Sequence, residues 1–128
     1  MKKACLENNL SKVKFLIYVG ADPNGINDYN SSPSFQPFEF SSHIAISAEK
    51  HDAKILNFLL LKGANPNFTE GDETTPIAVA VSANNLKGTK SLLQAGANPW
   101  HTTKWSVIDQ ANSLGFRNLA TQIQPLVQ

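Results

Sequence analysis

The residues best suited to catalysis in this chain are three histidines and one cysteine, and they are scattered. His43, His51 and His101 are the only histidines, and Cys5 is the only cysteine among 128 residues. A zinc site brings such ligands together at short spacings, for example two histidines four residues apart on one helix. None of these spacings occurs here. We therefore predict no metal site, and we expect all three histidines to be surface residues.

Cys5 could act as a nucleophile only with a histidine and an orienting partner close to it in the fold. Its place in a helical stretch favours a different role, because a small cysteine side chain packs well in a core. A single cysteine also excludes an intrachain disulfide, which favours a reducing compartment. The sequence contains no Gly-rich phosphate loop and no nucleophile elbow. We predict a protein that is not an enzyme and that has no cofactor.

Charge and hydropathy argue against two further classes of partner. The net charge is +1, and Arg117 is the only arginine among eleven basic residues. Nucleic-acid-binding proteins use arginine for bidentate contacts to phosphate and guanine, so we expect no nucleic-acid partner. No apolar run approaches the roughly 18 residues that span a bilayer, and the polar residues 7–9 interrupt the start of any signal peptide. We expect a cytoplasmic protein without a membrane partner.

One short sequence motif, the repeated phrase, occurs three times and divides the chain into the segments that contain these residues. It consists of two apolar residues, two variable residues, Gly-Ala, Asp or Asn, and Pro, at residues 16–23, 59–66 and 92–99. The apolar pair closes the buried face of a helix, the glycine ends the helix in a left-handed conformation, and the proline prevents its continuation. Gly20 and Gly63 are 43 residues apart, and Gly63 and Gly96 are 33 apart. Such periods are typical of stacked repeats.

The sequence resembles the ankyrin repeat family, whose repeat of about 33 residues contains two helices and a turn. The family's opening, Thr-Pro-Leu-His-x-Ala, corresponds to residues 75–80, and the same offset places altered openings at 42–47 and 106–111. In the family the opening histidine ties neighbouring repeats together; here Ala45, Ala78 and Asp109 replace it. The resemblance implies an all-α solenoid of stacked helix-turn-helix repeats with finger loops along one edge. The missing histidines predict a weakened network of ties.

We predict one domain, residues 1–128, made of about four repeats at 1–24, 42–67, 75–100 and 106–128. The first repeat is truncated and the last is a C-terminal cap. The predicted helix pairs are 2–9 and 10–19, 42–50 and 53–62, 75–83 and 86–95, and 106–114 and 117–127. In the second of these helices an apolar stripe should face the core, formed by Leu10, Val13, Phe15, Leu16 and Ile17.

Glycines allow a direct test of these helix assignments. Replacing Gly63 or Gly96 by Val should destabilise the fold by about 1 kcal/mol or more, if both end helices in the left-handed conformation. Gly88 lies inside a predicted helix, where Ala should be more stable by up to about 1 kcal/mol. Gly88 and Thr89 also replace larger apolar residues of the preceding repeat, so we expect this helix to pack loosely.

The junction after the first repeat is unusually long and rich in aromatic residues. From Gly20 to Ser42 is 22 residues, whereas from Gly63 to Thr75 is 12. Long loops are often functional, and aromatic side chains on a loop stiffened by prolines provide contact area at little entropic cost. We predict a partner-binding surface along three fingers, formed by Tyr29, Phe35, Phe38, Phe40, Phe68, Glu70, Asp72, Trp100, His101 and Trp105.

A structural role is the alternative for each part of this surface. The aromatic residues of the long finger loop 24–41 could pack against the stack, and the acidic residues of the second finger could form a solvated turn. Trp100 and Trp105 could cover the edge of the last repeat.

The resemblance implies a non-catalytic protein–protein interaction module that uses its fingers and the concave face of its first helices, and we expect the protein to be a monomer. This inference rests on the family, because a fold alone does not fix a function. Two alternatives stay open: a targeting fragment of a larger catalytic protein, and a module that packs against another domain of the same parent chain. The sequence does not identify the partner.

Overall fold

A computed structural model describes residues 2–20, 43–68 and 75–127. Within these ranges the chain forms eight α-helices in four consecutive pairs, as predicted. They are α1 (Lys2–Leu6), α2 (Leu10–Tyr18), α3 (His43–Ala48), α4 (Lys54–Leu61), α5 (Pro76–Ser82), α6 (Leu86–Gln94), α7 (Val107–Ser113) and α8 (Arg117–Val127). Most helices are slightly shorter than predicted, because the predicted spans included the capping residues. The long finger loop 24–41 lies outside the described residues.

The helix pairs stack in chain order to give two layers. The first helices form one layer, in which α1 contacts α3, α3 contacts α5, and α5 contacts α7. The second helices form the other, in which α2 contacts α4, α4 contacts α6, and α6 contacts α8. One apolar core runs between the layers from Ala4 to Ile123. Burying a side chain such as Leu59 or Leu92 contributes about 1.5–3 kcal/mol, so each repeat is stabilised by its neighbours.

The repeated phrase ends helices α4 and α6 in the manner that its glycine predicts. Gly63 has a φ of 95° and Gly96 a φ of 97°, both in the left-handed region. At the end of α4, the N–H of Gly63 donates to the Leu60 carbonyl (3.1 Å) and the N–H of Ala64 to the Leu59 carbonyl (2.9 Å). The end of α6 has the same pair of bonds. This is the Schellman arrangement, which satisfies carbonyls that a helix end leaves open.

We expect Gly63→Val and Gly96→Val each to destabilise the protein by about 1 kcal/mol or more. A Cβ at either position would meet no atom within 4 Å, so the cost is entirely conformational. Asn tolerates the left-handed region better than Val does, and Gly63→Asn should therefore cost less. Urea unfolding midpoints measure the difference. Equal losses for Val and Asn at position 63 would contradict a conformational origin.

Gly88 lies in α6 as predicted, but its surroundings argue against the expectation that Ala would be more stable there. A Cβ at this position would approach Cγ of the buried Asn85 side chain to 2.9 Å. Asn85 fills the space beside the glycine, so Gly88 and Thr89 are both buried and α6 does not pack loosely at this point. The stabilising effect of Ala in an isolated helix is therefore offset by a tertiary contact.

We expect Gly88→Ala to destabilise the protein by about 1 kcal/mol or more, because Asn85 must move away from its hydrogen-bond partners. The measurement is again the urea midpoint. Lys87→Ala is the control, since Lys87 is the preceding residue of the same helix and is exposed. A rise in midpoint for Gly88→Ala would show that Asn85 moves without loss.

Two predictions of burial are wrong. Phe15 is 62% exposed, because at 100° per residue it lies nearly opposite Val13, the buried residue of α2. His43 was expected at the surface but is buried. It occupies the first position of α3, and Pro76 at the first position of α5 is buried as well. The start of the first helix is thus enclosed in both repeats. His51, by contrast, is exposed as expected.

Candidate functional site

The third finger is a tight hairpin between α6 and α7. Trp100 and Ser106 form an antiparallel bridge at its base. Nearer the tip, the carbonyl of Trp105 accepts hydrogen bonds from the N–H groups of His101 (2.8 Å) and Thr102 (3.2 Å). At the start of the finger, the Asn98 side chain accepts from the N–H of Trp100 at 3.0 Å. These bonds fix the backbone that carries both tryptophans.

Both tryptophan rings lie about half in solvent. Trp100 is 48% exposed and Trp105 is 42% exposed. A large ring that is partly covered has its orientation set by the protein, while its open side remains available for contact. Tryptophan is enriched among the residues that contribute most to binding at protein interfaces. The two rings are therefore the strongest candidate contacts among the described residues.

The third finger is anchored to two helices through one glutamine. Nε2 of His101 lies 2.7 Å from Oε1 of Gln110, on α7. Nε2 of Gln110 donates to the Ala78 carbonyl (3.1 Å) and to Oγ of Ser82 (3.0 Å), both on α5. His101 is accordingly half-buried, and not a free surface residue as expected. Its contribution is to hold the finger in place beside the first helices.

The second and third fingers are tied directly to each other. Oδ1 of Asn67 accepts from the N–H of Asn98 at 2.7 Å, and Nδ2 of Asn67 donates to the Gly96 carbonyl at 3.3 Å. Phe68 follows Asn67, is half-buried, and packs against the apolar core. It therefore offers only part of its ring to a partner. The described start of the second finger is thus joined by hydrogen bonds to the start of the third.

The other predicted site residues lie outside the described residues. They are Tyr29, Phe35, Phe38 and Phe40 of the first finger and Glu70 and Asp72 of the second. The described part of the predicted surface thus consists of Phe68, Trp100, His101 and Trp105.

The first helices contribute unequally to the predicted concave face. All six residues of α3 are buried, so this helix presents no open side chain. On α5, Val79 is half-buried and Ser82 is exposed. Ser82 shares the Gln110 side chain with the third finger, and the accessible part of α5 therefore adjoins that finger.

Residues other than the missing histidines supply hydrogen bonds between repeats. Asn85 is buried in the turn before α6. Its Nδ2 donates to the carbonyls of Ala48 and Lys50 in the second repeat, both at 2.9 Å. Its Oδ1 accepts from the N–H of Gly88 at 2.9 Å and caps α6. One side chain thus caps its own helix and binds the preceding repeat.

A second tie joins the first and second repeats. Nδ2 of Asn8 donates to Oδ2 of Asp52 at 2.8 Å. Burial disfavours the charged form of Asp52, but the bonds from Asn8 and from the N–H of Lys54 outweigh it and lower the pKa of this carboxyl below its ordinary value. The signal for both ties was an Asn-Asn pair between the helices, at residues 8–9 and 84–85. Sequence reasoning did not use it.

Asp109, which replaces a family histidine, has a local role. It completes a capping box at the start of α7: its Oδ2 accepts from the N–H of Ser106 at 2.9 Å, and Oγ of Ser106 accepts from the N–H of Asp109 at 3.4 Å. Two N–H groups of the helix end are satisfied in this way. The family histidine ties neighbouring repeats together, whereas Asp109 stabilises the start of its own helix, α7.

Cys5 has the environment of a core residue. It is fully buried, and burial raises the pKa of its thiol to about 11. Because the thiolate is the reactive form, a raised pKa suppresses nucleophilic chemistry near neutral pH. Across the described ranges no group of three His, Cys, Asp or Glu residues could hold a metal ion. None of the helices in those ranges is long and apolar enough to cross a membrane.

Comparison with known families supports the repeat architecture. The family profile described as ankyrin repeats, in three copies, matches residues 1–103, from the first repeat into the third finger. No curated protein sequence matches the chain significantly.

Proposed function

This chain belongs to the ankyrin repeat family, and we propose on that premise that it is a non-catalytic module that binds a protein partner along its finger edge. Ankyrin repeats are in general protein–protein interaction modules. The observation that carries the proposal is the third finger, where Trp100 and Trp105 lie half-exposed on a hairpin fixed by hydrogen bonds.

The physical basis is preorganisation. Ordering a long side chain on binding costs about 0.5–1.5 kcal/mol. A tryptophan ring that is already half covered loses little further freedom, so most of the free energy of its contact is retained as affinity. The Gln110 and Asn67 bonds extend this rigidity from the third finger to α5 and to the second finger. A partner would therefore meet a fixed edge.

We propose that the first finger extends the same edge with Tyr29, Phe35, Phe38 and Phe40. Ten additional residues are not needed to stack the repeats, and their aromatic content exceeds that of a neutral spacer. Loop-closure entropy alone would tolerate the insertion, since doubling a loop costs only about 0.6 kcal/mol. Composition is therefore the argument for a binding role. We further propose a cytoplasmic, monomeric protein, which agrees with a single buried cysteine.

The test is to identify the partner by mass spectrometry of proteins captured by the tagged chain from its native cells, and then to vary the loop. With Phe35→Ser and Phe38→Ser together, we expect capture of the identified partner to fall at least about tenfold, with a change in melting temperature of a few degrees at most. Ser31→Ala with Ser32→Ala is the control in the same loop. A large loss of melting temperature would make the aromatics core residues, and unchanged capture would place the binding surface elsewhere.

A further inference from the structure

The positive charges of this chain are concentrated in the second helices, although the net charge is only +1. The helices α2, α4, α6 and α8 contain six of the eleven basic residues and none of the ten acidic residues. The six are Lys12, Lys14, Lys54, Lys87, Lys90 and Arg117, and Lys62 follows at the C-cap of α4. In the described ranges the acidic residues lie elsewhere: Asp109 is in α7, and Glu7, Glu49 and Asp52 are in the turns between the two helices of a pair. One layer of the stack is therefore basic.

Most of these charges form no ion pair with another described residue. Within the described ranges, Lys54 is the one residue of the seven that forms an ion pair, with Asp52 at 3.8 Å. All seven are exposed apart from Lys90, which is half-buried. The positive potential of this layer is thus not neutralised inside the described part of the chain.

The basic layer also exposes apolar side chains in the first two repeats. Tyr18 is 88% exposed and Leu61 is 80% exposed. Each lies two residues before the glycine that ends its helix, so they occupy equivalent positions on the neighbouring helices α2 and α4. The third repeat has the polar residue Gln94 at this position. At this position, exposed large apolar side chains therefore occur on α2 and α4 but not on α6.

A second row of aromatic residues lies beside the first. Phe15 and Phe58 each precede the terminal glycine by five residues, where the third repeat has Ser91. The Nζ atoms of Lys14 and Lys62 both lie 5.7 Å from the centre of the Phe58 ring. Apolar side chains and lysine ammonium groups therefore alternate on one surface and do not form two separate patches.

This composition fits an anionic lipid surface better than a protein or a nucleic acid. Protein interfaces are enriched in arginine and depleted of lysine, and the planar arginine side chain is the usual reader of carboxylates and phosphates in fixed geometry. Attraction to an anionic lipid surface requires only a high density of positive charge. Each lysine near that surface contributes about 1 kcal/mol to the binding free energy. Exposed Phe, Tyr and Leu enter the boundary between headgroups and acyl chains.

We propose that the outer surface of α2 and α4 binds peripherally to membranes that contain anionic lipids. This lipid-binding face consists of Phe15, Tyr18, Leu61, Lys12, Lys14, Lys54 and Lys62. The lysine ammonium groups contact the headgroups, and Tyr18 and Leu61 insert between them. The expectation of no membrane partner came from the net charge and the lack of a spanning segment. Neither the net charge nor the lack of a spanning segment describes how charge is distributed between the two helix layers. The proposal of a lipid-binding face does not depend on the proposed protein-binding role of the finger edge.

The test is sedimentation of the whole protein with vesicles of phosphatidylcholine, alone or with about one-third phosphatidylserine. We expect binding to the mixed vesicles only, and weaker binding as the salt concentration rises. Tyr18→Ser with Leu61→Ser, and separately Lys14→Gln with Lys62→Gln, should each lower the partition coefficient at least about tenfold. Lys3→Gln with Lys50→Gln removes the same charge elsewhere and should change it less than about twofold.

The substituted side chains are exposed except for the half-buried Lys50. Melting curves of the variants should therefore match that of the unaltered protein, and the two face variants test the face independently. Equal binding to both vesicle types, or binding to neither, would overturn the proposal. So would loss of binding in the Lys3 and Lys50 control equal to that in the face variants. Polyglutamate and duplex DNA are the competing ligands. Tight binding to either that does not depend on Tyr18 and Leu61 would assign the face to an acidic protein or to a nucleic acid.

Discussion

Replacing Asn85 by Ala is expected to destabilise the protein by about 2–4 kcal/mol, the largest effect of any single substitution considered. Loss of a helix N-cap costs about 0.5–2 kcal/mol. The carbonyls of Ala48 and Lys50 also lose their donor, and each such loss costs about 1 kcal/mol or more. The side chain is buried, so water does not readily replace it.

Asn9 provides the matched control for this prediction. It stands eleven residues before Gly20, as Asn85 stands eleven before Gly96, and its side chain caps α2 by accepting from the N–H of Lys12 at 3.1 Å. Asn9 is exposed, so Asn9→Ala should cost about 0.5–1 kcal/mol, the lower part of the range for loss of a cap alone. Chemical denaturation measures both. Equal losses would mean that the bonds from Asn85 to the second repeat contribute nothing.

Replacing Trp100 and Trp105 by Ser together is expected to reduce capture of the protein partner at least about tenfold. Central tryptophans at interfaces commonly contribute about 2 kcal/mol or more each, and about 1.4 kcal/mol corresponds to a factor of ten. The melting temperature should change by only a few degrees, because each ring is half-exposed and the backbone bonds of the hairpin remain. The expected loss is therefore one of binding and not of folding.

The matched control is Thr102→Ser with Thr103→Ala, which alters the tip of the same finger and leaves both rings in place. Oγ of Ser can replace Oγ1 of Thr102, which accepts from the N–H of Lys104 at 3.2 Å. Capture by this control should stay within about twofold of the unaltered protein. A tryptophan variant that unfolds would show that the rings belong to the core. Full capture by a folded tryptophan variant would remove the third finger from the interface.

The helix ends could be predicted from the sequence because they depend on a few adjacent residues. The glycine of the repeated phrase requires only its own backbone conformation, which Gly63 and Gly96 adopt. Thr75 accepts from the N–H of Ala78 at 3.3 Å and caps α5, as its position before Pro76 suggested. Signals of this kind do not change with the tertiary environment.

The errors occurred where the result depends on a distant part of the chain. Gly88 looked like a weak point of α6 because the position of Asn85 beside it could not be known. The predicted orientation of Phe15 was wrong because the closely spaced apolar residues of α2 are compatible with two different buried faces. His43 was predicted at the surface, but it lies at the first position of α3, where the fold encloses it. Each case is a tertiary contact that overrides a local preference.

The candidate surface was predictable in part. Trp100 and Trp105 were identified by residue type, since large aromatic residues are unusual in a finger. The anchoring of His101 through Gln110 to α5 was not, because these residues become neighbours only when consecutive repeats stack. The basic layer was missed for a similar reason: the net charge averages over helices that the fold places in separate layers.

The central claim, that the protein partner binds along the finger edge, is tested most directly by photo-crosslinking. A photoreactive residue is introduced at Thr103, exposed at the tip of the third finger, or at Gln94, exposed on the outer side of α6. Each protein is irradiated with the partner identified by capture. We predict a crosslinked product from position 103 and none from position 94. A product from position 94 alone would contradict the claim and place the partner on the layer of second helices.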